Sequence, residues 1–174
     1  LDGGEVFATF SGTCEVGPRA LGARSLCCNA ESKTALEHLN KIIKQREGFR
    51  PIAPMFTKEK FETIFDLSPN SLNSSTWMGQ LVWPKNHVES ESMPFLHKDN
   101  SARVQIIDES NHRLMSKIPK VVHECLKKSY ILANTSFNIA GDPMVFSVED
   151  CYVNCVRLGV TYILSNDSFY EVIQ

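Results

Sequence analysis

The sequence predicts an α/β domain built on a largely mixed sheet. Two observations support this prediction: the alternation of strand-like and helix-like segments, and the length of the chain. Short apolar segments typical of strands alternate along the chain with segments whose apolar positions have helical spacing. Strands interleaved with helices are typical of α/β domains. The 174 residues, 43% of them hydrophobic, suffice for one buried core. We therefore expect a single domain over residues 1–174.

The first part of the chain predicts two strands separated by a loop. The expected strands lie at residues 6–10 and 24–28, and Gly12, Gly17 and Gly22 interrupt the segment between them. Glycine lets the backbone approach a ligand closely, so this loop is a candidate for binding.

The clearest predicted helix follows the second strand. Thr34 and Glu37 have the spacing of a capping box, and Gly48 is a natural C-terminal stop. We therefore expect a helix from residue 34 to about residue 47. The apolar positions that should face the core are Leu36, Leu39, Ile42 and Ile43.

The remaining elements continue the alternation of strands and helices, and the segment 68–100, rich in Ser, Asn and Pro, is the least informative. We expect strands at residues 78–83, 102–107, 130–133, 161–164 and 169–173, and helices near 61–65, at 119–128 and between the capping residue Ser147 and Gly159.

The six cysteines indicate free thiols rather than disulfides. Cys27 and Cys28 are adjacent, Cys151 and Cys155 are four apart in a predicted helix, and no C-x-x-C argues for a zinc ribbon. Buried reduced thiols are typical of cytoplasmic proteins, so we expect that location. The chain begins Leu-Asp-Gly-Gly without an initiator Met, and we expect it to be a fragment of a larger protein.

The net charge of −2 offers no overall case for nucleic acid or for an anionic membrane. No apolar run approaches the roughly 20 residues that span a bilayer. The charge is nevertheless uneven, since residues 17–50 carry seven basic and three acidic side chains. A solvated basic face would explain this local excess, and so would a polyanionic ligand.

Two segments within this basic region could bind phosphate. The guanidinium groups of Arg19 and Arg24 can each hold phosphate or carboxylate oxygens with two hydrogen bonds, although a structural turn with surface arginines explains them equally well. Lys44, Arg46 and Arg50 lie near the end of the predicted helix, where cations pair with the helix dipole. Helical spacing turns Arg46 inward, and an inward arginine needs a counter-charge from the protein or from a ligand.

Two further polar segments follow predicted strands or precede them. His97 taken alone is more often a hydrogen-bonded structural residue than a catalyst, whereas Arg103 and Gln105 should project from one face of a strand and could line a pocket. The segment 134–143 is expected to be a turn whose hydroxyl, amide and backbone donors can hold phosphate, although it could equally satisfy its own backbone. No Walker A loop and no G-x-G-x-x-G occurs.

The four segments together are more specific than any one of them. GPRALGARS, LNKIIKQREGFRPIAP, HKDNSARVQ and NTSFNIAGDPMV, in this order, resemble the C-terminal domain of the NodU/CmcH family of O-carbamoyltransferases, which includes nodulation, cephalosporin and tobramycin carbamoyltransferases. The resemblance extends from about Gly4 to Ile173. It implies a YrdC-like fold, a twisted mixed sheet flanked by helices, that follows a larger metal-binding domain of the ASKHA type absent from this chain.

The resemblance also implies a reaction. The YrdC-like domain takes carbamoyl phosphate and ATP and forms carbamoyl-adenylate, and the larger domain passes the carbamoyl group to a hydroxyl. The K-x-R and S-x-N signatures of YrdC-like proteins match Lys44, Arg46, Ser136 and Asn138, which are the implied catalytic residues. The expected substrate- and phosphate-binding residues are Arg19, Arg24, Arg50, Arg103, Asn134 and His97.

The expected cofactors are ATP and the Mg²⁺ that accompanies it, and no protein metal site is expected. The expected partners are carbamoyl phosphate, ATP and the N-terminal transfer domain, with no membrane and no nucleic acid. A non-catalytic nucleotide- or RNA-binding YrdC-like module is the alternative. Five residues depart from the family pattern: Asn100 and Ser101 replace a Gly-Thr pair, Ala140 replaces an Arg, and Asn29 and Ala30 replace an Asp-Pro pair. Asn100 can adopt the left-handed conformation of the missing Gly.

Overall fold

A seven-stranded mixed sheet lies at the centre of the computed structural model, which describes residues 5–17, 19–66, 69–89, 92–108, 118, 120–128 and 130–173. The strand order is β6-β3-β7-β2-β1-β8-β9, and a second sheet pairs β4 with β5. The strands are β1 Phe7–Phe10, β2 Arg24–Asn29, β3 Ala53–Thr57, β4 Leu81–Val82, β5 Ala102–Arg103, β6 Gln105–Ile107, β7 Leu132–Ser136, β8 Tyr162–Ser165 and β9 Ser168–Glu171.

Two of the pairings in the large sheet are parallel, β1 with β8 and β3 with β6, and the other described pairings are antiparallel. The mixed sheet expected from the sequence is therefore confirmed. The helices are α1 Lys33–Glu37, α2 Lys58–Ile64, α3 Pro69–Thr76, α4 Lys120–Lys127 and α5 Val148–Leu158, and α1 continues as a π-helical segment, His38–Ile43.

Apolar side chains cover both faces of the large sheet because alternate strand residues point to opposite sides. Leu26 and Phe56 belong to a cluster that also contains residues of α1, α2 and α5. Cys27 and Met55, their neighbours along the strands, belong to a second cluster with residues of α4. All six cysteines are free.

The first helix differs from the prediction. Its N-cap is Ser32, whose hydroxyl accepts a hydrogen bond from the backbone N–H of Ala35, and Thr34 lies inside the helix. From His38 onward the turns widen to π-helical geometry. Because a wider turn shifts which side chains face inward, Ile42 is 64% exposed, and its predicted core position is wrong.

The strand β7 also differs, because it continues through Ser136 where the sequence predicts a turn from residue 134. Asn134 pairs with Cys27 on one side and Ala53 on the other. The predicted strand at 102–107 is divided between the two sheets at Val104. The predicted strand at 78–83 is only Leu81–Val82.

Other predicted boundaries hold. Ser147 and Asp150 form a complete capping box at the start of α5, and Gly159 ends that helix in the left-handed conformation with φ 66°. Helix α3 lies in the segment for which the sequence predicted only one strand. The predicted first residue of the helix at 119–128, Pro119, lies outside the described residues, as does Pro18.

An apolar surface extends over the outer side of α5 and the edge strand β9. Tyr152, Val153 and Val156 of α5 are exposed, and so is Tyr170 of β9. Phe169, although exposed, packs edge-on against Phe7 on the opposite face of the sheet. Contiguous exposed apolar residues of this kind are typical of interaction surfaces. Among the described residues, no helix combines the length and apolar character needed to cross a membrane.

Candidate anion-binding site

The π-helical segment delivers Lys44 to the interior. The backbone N–H of Lys44 bonds to the carbonyl of Leu39, five residues earlier, and only 4% of Lys44 is exposed. Its Nζ donates to the carbonyl oxygens of Ser136 at 2.8 Å and Asn138 at 2.7 Å, and to Asn138 Oδ1 at 2.7 Å. Lys44 thus joins the end of its helix to the turn that follows β7.

Two opposing effects act on the pKa of Lys44. Burial, followed by repulsion from Arg46, lowers the pKa of Lys44 to about 8. The surrounding oxygen acceptors favour the charged form. The group therefore titrates near neutral pH, far below an exposed lysine.

The turn after β7 is organised by side chains of the predicted S-x-N signature. Ser136 Oγ donates to Asn138 Oδ1 at 2.7 Å, and Asn138 Nδ2 donates to the carbonyl of Asp142 at 2.6 Å. Because Asn138 Oδ1 accepts from both Ser136 and Lys44, one amide oxygen connects two of the predicted catalytic residues to each other.

A buried asparagine that the sequence analysis did not single out orients Arg46. Asn40 Oδ1 accepts a hydrogen bond from Arg46 Nε, and Asn40 Nδ2 donates to the carbonyls of Glu47 at 3.3 Å and Arg50 at 2.7 Å. Gln45 has a left-handed φ of 48°, which turns the chain between Lys44 and Arg46. The only signal in the sequence was a polar residue within an apolar helical pattern.

Two neighbouring cavities open beside this turn. The smaller, about 160 Å³, is lined by Ser136 and by residues that include Arg19, Ala20, Met78, Asn134 and Thr135. The larger, about 310 Å³, is lined by Arg50, His97 and Leu81. Arg46 and Arg103 line both cavities, so they form the boundary between them.

No carboxylate lines either cavity among the described residues. The pKa of Arg46 is lowered by burial and then by repulsion from Arg50 and Arg103. The pKa of Arg103 is lowered by burial and then by repulsion from Arg19. Glu47 partly opposes this effect on the pKa of Arg46, and it pairs with Arg50 at 2.8 Å. The remaining repulsion among the arginines favours an anionic ligand, since bringing one in relieves it.

Arg103 and His97 lie side by side at the larger cavity. Arg103 Nε is buried and has no hydrogen-bond partner among the described residues. His97 Nδ1 lies 2.8 Å from Ser101 Oγ. Burial, opposed by Asp99 and assisted by Arg103, lowers the pKa of His97, which favours the neutral ring. Asn100 has φ 60°, as expected where the family pattern has Gly.

The loop that carries Arg19 is shaped by a buried carboxylate. Glu15 Oε1 accepts hydrogen bonds from the backbone N–H groups of Leu21 at 2.7 Å, Ala23 at 2.7 Å and Arg24 at 3.3 Å. These bonds curl the chain around one side chain, which holds Arg19 at the smaller cavity. Glu15 therefore acts on the loop rather than on a ligand.

Arg24 is placed differently from the other predicted phosphate ligands. Its guanidinium donates to the backbone carbonyls of Ser11 and Gly12, both at 3.0 Å, and lies 3.7 Å from the centre of the Phe10 ring. It lines neither of the two cavities. Its terminal nitrogens are thus directed at the protein, whereas Nε has no hydrogen-bond partner among the described residues. Phosphate binding by Arg24 stays a prediction.

Asn134 and Gln105 form a buried pair beneath the smaller cavity. Asn134 Nδ2 donates to Gln105 Oε1 at 2.6 Å and to the carbonyl of Ala20 at 3.2 Å, and Gln105 Nε2 donates to the carbonyl of Leu21 at 3.0 Å. Gln105, expected to line a pocket, is wholly buried. Asn134 Oδ1 is left without a partner among the described residues.

The structure thus brings most of the predicted residues together. Arg19, Arg46, Arg103, Asn134 and Ser136 surround one cavity, and Arg50 and His97 extend the site into the next. Lys44 and Asn138 lie behind Ser136 and line neither cavity, and Arg24 lies apart. Within the described part of the chain, no group of three or more His, Cys, Asp or Glu side chains could hold a metal ion.

The mixed sheet flanked by helices defines an α/β domain, and the arginines that converge beside the end of β7 define a candidate site for a small anion. The family profile described as "Carbamoyltransferase C-terminus" matches residues 1–171. The chain belongs to this family.

Curated relatives are longer proteins. The chain is 31% identical to a 3'-hydroxymethylcephem-O-carbamoyltransferase of Amycolatopsis lactamdurans, over 98% of this chain and 31% of the relative. It is 33% identical to the nodulation protein NolNO of Sinorhizobium fredii, over 84% of this chain and 21% of that protein. The chain therefore spans less than a third of the length of these relatives.

Solved structures share the fold. A crystal structure of full-length HypF in the phosphate- and nucleotide-bound form matches with a TM-score of 0.56 and 18% identity, over 91% of this chain and 19% of HypF. A double variant of Sua5 from P. abyssi matches with a TM-score of 0.59 and 16% identity, over 98% of this chain and 46% of Sua5. The fold is therefore YrdC-like, as the resemblance implied.

Proposed function

We propose that this domain binds carbamoyl phosphate and ATP and forms carbamoyl-adenylate for transfer to a hydroxyl. Family membership establishes a carbamoyltransferase C-terminal domain, and the proposal adds the substrates and the step. The observation that carries it is the pair of adjoining cavities that share Arg46 and Arg103 and have no carboxylate among their described lining residues.

The proposed reaction has two steps. Water releases inorganic phosphate from carbamoyl phosphate, leaving carbamate. A carbamate oxygen then attacks the α-phosphorus of ATP, and pyrophosphate leaves with the electrons of the broken P–O bond. Both steps bring several negative charges into one place, which is unfavourable unless fixed cations neutralise them.

The described residues could supply these fixed cations. Arg46 and Arg103 reach both cavities and could stabilise charge that moves from one substrate to the other. Ser136 faces the smaller cavity, and Lys44 would act on the ligand through Ser136 and Asn138 by holding their turn in place. Mg²⁺ would arrive with ATP, because the described cavity residues include no oxygen-rich carboxylate set for it. The phosphate and nucleotide named for HypF support a YrdC-like fold as a host for such ligands.

The proposed partner is the N-terminal transfer domain of a longer polypeptide. Relatives extend well beyond the matched region. The first residue of β1, Phe7, pairs with Tyr162, which pairs with Glu171 of β9, so the start of β1 lies two strands from β9 and its exposed Tyr170. That proximity supports this surface as the contact for the transfer domain.

Pyrophosphate release tests the proposed reaction. We expect the chain, given carbamoyl phosphate, ATP and Mg²⁺, to release pyrophosphate and to form a species with the mass of carbamoyl-adenylate. Arg46→Met and Arg103→Met should each lower the rate by on the order of 10²–10³, as removal of one stabilising donor does elsewhere.

Arg157→Met is the matched control, because Arg157 is exposed and lines neither cavity, and its partner Asp142 contacts Asn138 through the backbone carbonyl, which the variant keeps. Equal rates in all four proteins would contradict the proposed roles. Salt-sensitive RNA binding without any affinity for ATP would instead support the alternative, a non-catalytic RNA-binding module.

A further inference from the structure

The lining of the smaller cavity includes a buried acceptor that no described residue uses. Asn134 is 2% exposed, lines this cavity, and has no partner for Oδ1 among the described residues. An unsatisfied buried acceptor is unfavourable by about 1–3 kcal/mol. Such an atom in a binding cavity is a place where a ligand donor would be stabilised.

The orientation of the Asn134 amide follows from its neighbours. Backbone carbonyls can only accept hydrogen bonds, so the carbonyl of Leu21 requires the Nε2 end of Gln105, and the carbonyl of Ala20 requires the Nδ2 end of Asn134. With both ends assigned, Gln105 Oε1 accepts from Asn134 Nδ2 at 2.6 Å. The oxygen, not the nitrogen, of Asn134 is therefore the free end.

The other polar groups around this cavity are mainly donors. Arg19, Arg46 and Arg103 contribute guanidinium groups and Thr135 contributes a hydroxyl, whereas the Ser136 hydroxyl already donates to Asn138 Oδ1. A matching ligand has an anionic end for the guanidiniums and an N–H for Asn134 Oδ1. A volume of about 160 Å³ admits a small acyl phosphate rather than a whole nucleotide.

We propose that Asn134 Oδ1 accepts a hydrogen bond from the amide N–H₂ of the carbamoyl group and thereby selects carbamoyl phosphate over acyl phosphates that lack an N–H. This inference rests on the proposed function and adds a specificity-determining residue to it. Acetyl phosphate is the informative competitor, because a methyl group stands where carbamoyl phosphate has its N–H₂. Binding acetyl phosphate would leave Oδ1 buried without a donor. Because Oδ1 has almost no exposed surface, a ligand donor reaches it only after a small movement of the cavity lining.

The test compares the dissociation constants of carbamoyl phosphate and acetyl phosphate by titration calorimetry. The wild-type chain should prefer carbamoyl phosphate by roughly 10- to 100-fold, the range for one buried hydrogen bond made or lost. Asn134→Leu should bring the ratio close to one, mainly by weakening carbamoyl phosphate. Asn134→Ala, which removes the same oxygen without adding bulk, is the second variant if Asn134→Leu does not fold.

Gln105→Leu is the matched control. It disturbs the same hydrogen-bonded pair but keeps Asn134 Oδ1, so the preference for carbamoyl phosphate should remain even if both affinities fall. A wild-type ratio near one, or a ratio that survives in Asn134→Leu and Asn134→Ala, overturns the inference while leaving the proposed function intact. Binding of neither acyl phosphate by the wild type contradicts the proposed function, and this inference with it.

Discussion

Lys44 Nζ lies 2.7 Å from Asn138 Oδ1, although 94 positions separate the two residues along the chain. Two signatures that look independent in the sequence are thus one structural unit, because the K-x-R segment holds the S-x-N turn. Lys44 contacts protein oxygens and lines neither cavity, whereas Arg46 lines both. Within the short K-x-R motif, the lysine therefore contacts the protein and the arginine lines the cavities.

The lowered pKa of Lys44 should make stability depend on pH. The folded chain loses the Lys44 proton near pH 8, whereas an ordinary lysine keeps it to about 10.5. Across that window the unfolded chain binds more protons, so the free energy of unfolding should rise with pH, by up to about 3 kcal/mol. Urea unfolding at a series of pH values measures this rise, which Lys44→Met should lack.

Asn138→Asp provides a companion to Lys44→Met. A carboxylate beside Nζ favours the charged lysine and should move the rise in stability to higher pH. If the free energy of unfolding changed with pH at the same slope above pH 8 in the wild type and in Lys44→Met, the assignment of this rise to Lys44 would be contradicted.

Arg24 and Arg103 should respond in opposite ways to the same substitution. Arg24→Met leaves the carbonyls of Ser11 and Gly12 without their donor, and we expect a loss of about 2–4 kcal/mol in unfolding free energy with little change in phosphate affinity. Arg103→Met removes a half-buried cation that Arg19 repels, so stability should hold or increase while phosphate affinity falls.

Chemical unfolding measures the free energy of unfolding of each variant. Calorimetric titration of the same samples with inorganic phosphate measures the phosphate affinity. If Arg24→Met weakened phosphate binding as much as Arg103→Met while unfolding normally, the original expectation for Arg24 would stand after all.

Asn40 should support ligand binding without touching a ligand. Asn40→Ala removes the acceptor for Arg46 Nε and two donors that hold the chain between Glu47 and Arg50. We expect ATP affinity to fall about tenfold because Arg46 and Arg50 lose their fixed positions. Lys41→Ala, at an exposed neighbour paired with Glu37, is the control and should bind ATP normally. Normal affinity in Asn40→Ala would remove Asn40 from the site.

Phosphate affinity should decrease as salt increases. Several converging cations attract an anion over distances that salt screens, with a Debye length of about 10 Å at 0.1 M. Titrations at low and moderate NaCl should give weaker binding at the higher concentration, and Arg103→Met should show a smaller dependence. A salt-independent affinity would argue that binding does not rest on these arginines.

Much of the fold was predictable because its signals are local. The capping pair Ser147 and Asp150 and the left-handed Gly159 mark the ends of α5 in the sequence as in the structure. The position of Asn100 in a left-handed turn also followed from its residue type. The first helix was harder, because nothing in its apolar spacing distinguishes an α-helical from a π-helical turn, and Ile42 was misplaced for that reason.

By itself the sequence determined the alternation of strands and helices, the family, and the set of cations that should meet. Only the tertiary structure decided which of them face a cavity. Arg24 donates to backbone carbonyls, Lys44 donates to the turn after β7, and Arg46 and Arg103 line the cavities. The physical reason is that the direction of a side chain depends on strand register and on the phase of a helical turn, and packing between distant segments sets both.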